Sequence, residues 1–410
     1  MNKFIRSILP GIFLIGFNIG TGSVTAMAKA GADYGMGLLW ALLLSCLVTF
    51  FLIVWFGRYT LVTGETALLA FRKHIHPAVG MFFIVALTIN VCGSIMGVMG
   101  IIADVLFEWS KTWTASGIPP MAWAAGIGAL IYLLFLAGAT SFFEKVLALM
   151  VAVMGLCFLL NFIILTPALT EILSGLVPRI PDALPGQSAT APMLVTAGMV
   201  GTTVSSMIFI VRTTLVKEQG WTIHDSKLQT RDAGISAALM FLISGTIMAA
   251  AATALHVKGF RLEHAKDMIN LLDPVAGPFA VGIFVIGITA AGMSSQLPNI
   301  LLLPWLICDF FSIPRDLRSR RFRLIVLVMS TLSLVVPLFD APPILVMVAS
   351  QAIAAIVLPA TVLCIFWLTN RRDVMGEKVN GRWANVALAL ILLFALFMCV
   401  QGLGGLFGNL

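Results

Sequence analysis

Charged residues are scarce in this sequence. Only 10% of its 410 residues are Asp, Glu, Lys or Arg, whereas 60% are hydrophobic, and the mean hydropathy is +1.04. Soluble globular domains carry about 25% charged residues, so this chain is excluded from that class. Its composition is typical of a protein whose surface faces lipid rather than water.

Paired cysteines and clustered histidines are also lacking. The six cysteines fall within apolar runs without paired spacing, so they predict neither a disulfide framework nor a zinc site. The five histidines fall in or beside polar segments. Because no nucleophile–base pair occurs within the apolar runs, the sequence predicts no enzyme activity, no cofactor and no resident metal site.

What the chain does contain is a series of long apolar runs without the alternation typical of strands. Each run reaches the roughly 17–25 residues that a helix needs to cross a bilayer. They predict an all-α polytopic membrane protein with eleven transmembrane helices, in a single domain over residues 1–410. The predicted spans are 8–30, 35–58, 77–107, 119–138, 143–166, 191–215, 232–256, 275–308, 322–339, 343–369 and 384–408.

The positive charges are unevenly distributed between the loops. With a cytoplasmic N-terminus, most of the 25 Lys and Arg residues fall in cytoplasmic loops, as the positive-inside rule requires. We therefore expect an integral protein of the plasma (inner) membrane with a cytoplasmic N-terminus and an extracytoplasmic C-terminus. The net charge of +7 reflects this topology and does not indicate nucleic acid as a partner.

Two of the spans are interrupted by small and polar residues. The first contains "GTGSVT" at Gly20–Thr25, and the sixth contains "GTTVSS" at Gly201–Ser206. Interrupted helices at matching positions of two halves indicate an inverted-repeat transporter, because unwound backbone persists in a membrane only where it lines a buried polar cavity. The predicted repeats are 8–166 and 191–369, with an extra helix at 384–408. The alternative, small residues for close helix packing, fits "GSIMGVMG" at Gly93–Gly100 better.

Several stretches resemble one family, the Nramp divalent-metal transporters. "YTLVTGETALLAFRKH" is similar to the end of the family's second helix and the following loop, and "SFFEKVLALMVAVMGLCF" to its fifth helix. "GMSSQLPN" is similar to the eighth helix, and "ASQAIAAIVLP" with "TNRRDVMGEKVNGRW" to the tenth helix and the turn beyond it. The resemblance implies a leucine-transporter-type fold with two inverted five-helix repeats, broken helices 1 and 6, and secondary transport by alternating access.

The family's functional motifs are not kept at the matching positions. The first-helix motif Asp-Pro-Gly-Asn and the sixth-helix motif Met-Pro-His fall on Gly20, Thr21, Gly22 and Ser23, and on Ser205, Ser206 and Met207. The acidic pair of the family's third helix falls near Cys92 and Ile95, and a histidine further along the sixth helix becomes Arg212. Among the family's metal-site residues, only Gln351 matches.

Acidic residues are therefore missing where the family binds metal. Each of the 18 Asp and Glu residues falls in a loop or near the end of a predicted helix, and none falls at either interruption. A dehydrated divalent ion needs anionic oxygens or many neutral ones to offset its lost hydration. We therefore expect no tight site for manganese or iron of the family's usual kind.

We predict that the two interruptions form a substrate site. Free N–H groups at a helix break bind carboxylates, and "IGTGSVT" also resembles the glycine-rich break that holds the substrate's carboxylate in amino-acid transporters of this fold. The expected substrate is a small organic solute bearing a carboxylate. The alternative is a divalent metal ion that keeps its water shell, as magnesium does, without proton coupling. The predicted substrate-binding residues are Asn18, Gly20, Thr21, Gly22, Ser23, Thr202, Thr203, Ser205, Ser206, Met207, Ser294 and Gln351.

Two further assignments leave alternatives open. Arg212 lies either in the inner vestibule, where it would attract an anion, or at the cytoplasmic edge as a snorkelling side chain. A non-transporting sensor in a transporter fold is the rival class of function, and it is disfavoured because the chain has no soluble domain to pass on a signal. The predicted partners are the substrate and the lipid bilayer, and the sequence leaves the coupling ion and the oligomeric state undetermined.

Overall fold

The computed structural model describes residues 20–138, 152–153, 155–160, 162–163, 167–264, 267–268 and 280–408. The regular structure of these residues is helical. The longer helices are α1 (Thr21–Tyr34), α2 (Leu39–Thr63), α3 (Pro77–Ser110), α4 (Pro120–Ala137), α5 (Ala191–Thr203), α6 (Ser206–Glu218), α7 (Ser226–Ala254), α8 (Ala280–Phe311), α9 (Arg320–Thr331), α10 (Pro343–Asn370) and α11 (Arg382–Phe407). Shorter helical segments lie at Ala67–Ala70, Phe71–Ile75, Leu169–Gly175, Val335–Phe339 and Arg372–Met375.

Proline and glycine mark several helix ends. Helices α3, α4 and α10 begin at Pro77, Pro120 and Pro343, where proline's missing N–H removes no helical hydrogen bond and its φ is already helical. Helix α2 is ended by Gly64, whose φ of 70° is left-handed and favours glycine. Local sequence therefore fixes these boundaries.

Nine segments of the described residues are long and apolar enough to cross a membrane. They correspond in order to nine of the predicted spans, from Leu39–Thr63 to Arg382–Phe407. The other two predicted spans, 8–30 and 143–166, lie partly and mostly outside the described residues. The division into repeats at 8–166 and 191–369 stays a prediction for the same reason.

Helix α7 begins earlier than its apolar run. The predicted span starts at residue 232, whereas the helix starts at Ser226, because the polar residues of "SKLQTRD" form its first two turns. Lys, Leu, Gln and Arg favour helices although most of them lower the hydropathy. The prediction that every acidic residue lies in a loop or near a helix end is therefore wrong for Asp232, which is buried in α7.

The two interrupted spans lie at the centre of the bundle. Helix α1 packs against α5, α7 and α10, while α5 also packs against α10 and α11. The segment Ala191–Glu218 is almost wholly buried, whereas α4 and α11 carry exposed apolar side chains, as expected of helices that face lipid. Non-helical backbone at the interruptions is therefore surrounded by protein.

Both interruptions give rise to helix ends inside the bundle. Helix α5 ends at Thr203 and α6 begins at Ser206, so the sixth span is broken at Val204 and Ser205. Helix α1 begins at Thr21, after Gly20 in an extended conformation. Two helix N-termini and one C-terminus thus lie in the interior, where they leave backbone groups without helical partners.

Candidate functional site

A small cavity lies between the two interruptions, and we call it the central cavity. Its volume is about 50 Å³, which is room for a few water molecules. Helices α1, α3, α5, α6, α8 and α10 all contribute side chains to its wall. Of the predicted substrate-binding residues, those in the wall are Gly20, Gly22, Ser23, Thr202, Ser205, Met207 and Gln351.

The start of α1 forms one side of the central cavity through two glycines in close contact with neighbouring helices. A Cβ atom on Gly20 would lie 1.9 Å from Ser295 Oγ, and one on Gly22 would lie 2.9 Å from Gln351 Nε2. A side chain is therefore excluded at both positions unless these neighbours move. The absence of side chains brings the first turn of α1, with its unpaired N–H groups, directly against the cavity.

The break in the sixth span forms the opposite side. Thr202 in the last turn of α5 and Ser205 at the start of α6 both line the cavity. The Thr203 carbonyl is held by a hydrogen bond from Thr49 Oγ1 at 2.9 Å, which fixes the end of α5 against α2. The carbonyl end of one half-helix and the N–H end of the next thus meet at the cavity, so the backbone offers both acceptors and donors.

Three side-chain amides in the wall are each anchored through their nitrogen. Asn90 Nδ2 donates to the Ser350 carbonyl at 2.5 Å, and Gln351 Nε2 contacts Met347 Sδ at 3.5 Å. Neither acceptor can donate a hydrogen bond, which sets the orientation of both amides.

The amide of Asn299 contacts a hydroxyl, which can both donate and accept a hydrogen bond. Its Nδ2 lies 3.3 Å from Ser94 Oγ, across the interface between α8 and α3. Within the described part of the chain, the amide oxygens of Asn90, Asn299 and Gln351 accept no hydrogen bond. The central cavity therefore presents three unoccupied amide oxygens, which are good ligands for a hard cation.

Formal charge is missing from the wall of the central cavity among the residues that the structure describes. The described residues also contain no group of three or more His, Cys, Asp or Glu side chains that could hold a metal ion. The arrangement therefore suits an ion that retains part of its water shell, since neutral oxygens alone do not offset full dehydration.

Four predicted residues lie outside this wall. Thr203 Oγ1 donates to the Met199 carbonyl, Ser206 Oγ lies 2.6 Å from Thr361 Oγ1, and Ser294 Oγ donates to the Ala291 carbonyl. Thr21 is fully buried, and its hydroxyl lies near Gly292 without a hydrogen-bond partner in the described part of the chain. Asn18 lies outside the described residues.

Arg212 occupies neither of the two predicted positions. Its side chain is fully buried, and Nη1 lies 2.5 Å from Asp232 Oδ2 on α7. A second contact joins Nη2 to the Gln229 carbonyl at 3.5 Å, and the guanidinium lies 5.6 Å from the centre of the Trp221 ring. The arginine is therefore an internal link between α6 and α7 and does not line the central cavity.

Sequence reasoning missed four polar residues of the wall. Asn90, Ser94, Ser295 and Asn299 all line the cavity, and none of them is among the predicted substrate-binding residues. The pairs Asn90–Ser94 and Ser295–Asn299 are each separated by four residues, which places both members on one face of α3 or α8. Polar pairs at this spacing within long apolar helices are the pattern that could have identified them.

The sequence and the fold both match known transporters. The family model described as "Natural resistance-associated macrophage protein-like" matches residues 11–404. The "Divalent metal cation transporter MntH" of Nostoc sp. is 26% identical, with 98% of this chain and 93% of that protein aligned.

Two solved structures have the same architecture. A manganese transporter of Eremococcus coleocola superposes with a TM-score of 0.76 at 17% identity, over 100% of this chain and 90% of that one. The transporter MhsT, solved in complex with L-phenylalanine, superposes with a TM-score of 0.62 at 14% identity, over 99% of both chains. These likenesses confirm the predicted leucine-transporter-type fold.

Proposed function

The chain belongs to the natural resistance-associated macrophage protein-like family, and from this membership we propose that it carries a divalent metal ion across the membrane through a site without carboxylates. The curated relatives are named divalent metal cation transporters. Of the two substrates considered from the sequence, the hydrated divalent ion therefore has more support than the carboxylate-bearing solute. Transport proceeds by alternating access, with the central cavity as the binding site.

The amide oxygens of Asn90, Asn299 and Gln351 carry this proposal. The nitrogens of Asn90 and Gln351 are engaged by a carbonyl and a thioether, which leaves their amide oxygens as acceptors for an ion or for a water in its shell. Amide oxygens, hydroxyls and water are the ligands of magnesium and calcium, whereas iron and other softer ions favour nitrogen or sulfur. Magnesium, which gives up its water reluctantly, fits this donor set best.

The size of the central cavity argues against a solute as large as an amino acid. Pockets that enclose organic ligands measure about 300–1,000 Å³, whereas this one measures about 50 Å³. The free N–H groups at the start of α1 are the feature that supported a carboxylate. They are equally able to hold the oxygen of a water in the ion's shell.

The breaks in the two spans explain how such a site opens alternately to the two sides. The sixth span is divided into two half-helices at the cavity, and α1 begins at the same cavity, so in the proposed cycle these segments move while the helices around them stay packed. Hinges of this kind absorb changes in φ and ψ at a few residues, here Gly20 and Val204–Ser205.

Flux into proteoliposomes tests the proposal. Wild-type protein should admit Mg²⁺, reported by an enclosed magnesium-sensitive dye, and Gln351→Leu should reduce the rate by about tenfold, which corresponds to about 1.4 kcal/mol of lost ion binding. The matched control is Asn385→Leu, which removes an exposed amide paired with Asn370 far from the cavity. Accumulation of a radiolabelled small carboxylate, without flux of Mg²⁺ or Mn²⁺, would overturn it.

A further inference from the structure

A second cavity, of about 250 Å³, lies at the far end of α1, and we call it the distal cavity. Its polar residues are Lys29 and Asp33 from the end of α1, Gln187 and Ser188 from the segment before α5, and Glu263 from the segment after α7, next to the apolar Leu262. The first turns of α5 and α10 complete the wall with apolar side chains.

The distal cavity shares three of its walls with the central cavity. Helices α1, α5 and α10 line both. At a rise of about 1.5 Å per residue, Asp33 lies about 15 Å beyond Ser23 along α1. Val195 lies about 10 Å before Thr202 along α5. The two cavities therefore lie along the same helices, one beyond the other. In the predicted orientation, the distal cavity is on the extracytoplasmic side.

Asp33 is incompletely paired although its side chain is wholly buried. Its Oδ2 contacts Lys29 Nζ at 2.8 Å and accepts a hydrogen bond from Gln187 Nε2 at 3.1 Å. Its Oδ1 is buried and has no hydrogen-bond partner among the residues that the structure describes. A buried carboxylate oxygen without a partner is costly, so this atom indicates a ligand that the protein alone does not supply.

The charge of the distal cavity favours a cation. The Lys29 ammonium is already engaged by Asp33 and by the Leu262 carbonyl, to which it donates at 2.7 Å. Lys29 compensates one carboxylate, and the exposed Glu263 at the rim adds a second. The described wall of the distal cavity thus holds two carboxylates and one ammonium, whereas the described wall of the central cavity holds no formal charge.

We propose that the distal cavity binds a divalent cation between Asp33 Oδ1 and the Glu263 carboxylate, with the remaining positions of the ion filled by water. This inference rests on the proposed function, since the ion held here is the transported one before it reaches the central cavity. The carboxylates attract and concentrate the ion, and the amides of the central cavity then take it without a charge that would hold it too tightly.

Manganese serves as the probe, because electron paramagnetic resonance separates free from bound Mn²⁺. Full-length protein in detergent should show two classes of Mn²⁺ site. Glu263→Gln should weaken one class by about tenfold, the scale of one carboxylate at a partly exposed site. Gln351→Leu should weaken the other class only. Glu171→Gln, which removes an exposed carboxylate from the segment Leu169–Gly175, is the matched control.

Two variants of α1 test the buried pair directly. Asp33→Asn should abolish the class of site that Glu263→Gln weakens. Lys29→Met should strengthen it, because the competing ammonium is gone while Asp33 remains. Size-exclusion chromatography establishes whether Asp33→Asn folds. If it does not fold, the Mn²⁺ affinities of Lys29→Met and Glu263→Gln test the inference. A single class of site, with the same affinity in the Lys29 and Glu263 variants as in wild type, overturns the inference.

The outcomes separate this inference from the proposed function. Mn²⁺ bound at the distal cavity, without metal flux into proteoliposomes, would support the inference and contradict the proposed transport. Metal flux that depends on Gln351, with binding insensitive to Lys29, Asp33 and Glu263, would contradict the inference alone.

Discussion

Arg212 and Asp232 form an ion pair inside the bundle, with 2.5 Å between Nη1 and Oδ2. Arg212 belongs to α6, the half-helix that begins at the central cavity, and Asp232 belongs to α7. Both side chains are essentially without exposure to solvent. The pair therefore joins α6, which begins at the break in the sixth span, to the neighbouring helix α7.

Removing one member of this pair should destabilise the protein strongly. Asp232→Asn leaves the buried guanidinium without its carboxylate, which costs about 3–5 kcal/mol in comparable pairs. The double variant Arg212→Met, Asp232→Leu should recover most of the loss, since apolar residues of similar volume replace such pairs well. Chemical denaturation in detergent, followed by tryptophan fluorescence, measures both. An Asp232→Asn variant as stable as wild type would mean that the pair contributes little.

Gly22→Val should block the central cavity. The Cβ atom alone would lie 2.9 Å from Gln351 Nε2 and 3.3 Å from Met347 Sδ, so the larger side chain displaces the amide from its position. We expect flux to fall by about tenfold or more and stability to fall by about 1–3 kcal/mol, as for overpacked cores. Proteoliposome flux and thermal unfolding measure the two effects.

Gly126→Val is the control for this change, because Gly126 lies in α4 with no described atom within 4 Å of the added Cβ. Its flux should match wild type. Normal flux through Gly22→Val would show that the start of α1 does not line the path.

A carboxylate can be restored to the central cavity only if a neighbour makes room. Gly20 occupies the position of the family's aspartate, but a Cβ there would lie 1.9 Å from Ser295 Oγ. Gly20→Asp alone should therefore misfold or bind no metal. Gly20→Asp combined with Ser295→Gly should bind Mn²⁺ about tenfold or more tightly than wild type, because a charge replaces a neutral donor.

Isothermal titration with Mn²⁺ measures this gain, with Ser295→Gly alone as the control. Unchanged affinity in the double variant would contradict the placement of Gly20 in the wall of the ion site.

Glu65, between α2 and the segment Ala67–Ala70, should make stability depend on pH. Burial raises the pKa of Glu65, but hydrogen bonds and charge from Lys73 and His74 outweigh burial and hold the pKa below its usual 4.5. A carboxylate with a lowered pKa stabilises the fold above its unfolded pKa, and this contribution is lost as the pH falls through the lower, folded pKa.

The melting temperature of wild type should therefore fall between pH 7 and pH 4 or below. The fall should be smaller in Glu65→Gln. Glu377→Gln, which changes an exposed carboxylate, should decline as wild type does. Parallel curves for wild type and Glu65→Gln would contradict the predicted role of this ion cluster.

The breaks in the helices were predictable because they are local features. Small and polar residues in an apolar run weaken the helix wherever it lies, so Gly20 and Ser205 were identified from the sequence. Asn299 and Ser295 were not, because a polar residue in an unbroken helix is informative only when its neighbours are known. Their contacts with Ser94 and Gly20 bring together residues separated by more than 200 positions.

The environment of Arg212 could not be predicted for a different reason. Its partner Asp232 lies at the point where the apolar run of α7 begins, and hydropathy alone placed that residue at the membrane edge. The helix instead continues through the polar residues that precede it, which carries the carboxylate into the bundle. Pairing between helices, rather than the pattern within one of them, decides whether such a charge is buried.

The three anchored amides have an electrical consequence. In the proposed transport cycle, the described wall of the central cavity adds no formal charge to that of the ion it would carry. With a divalent ion bound, two elementary charges cross together, and a membrane potential of about 100 mV acts on them with about 4.6 kcal/mol. If the central cavity carries the ion as proposed, a negative interior would favour its uptake even without a second, coupled ion.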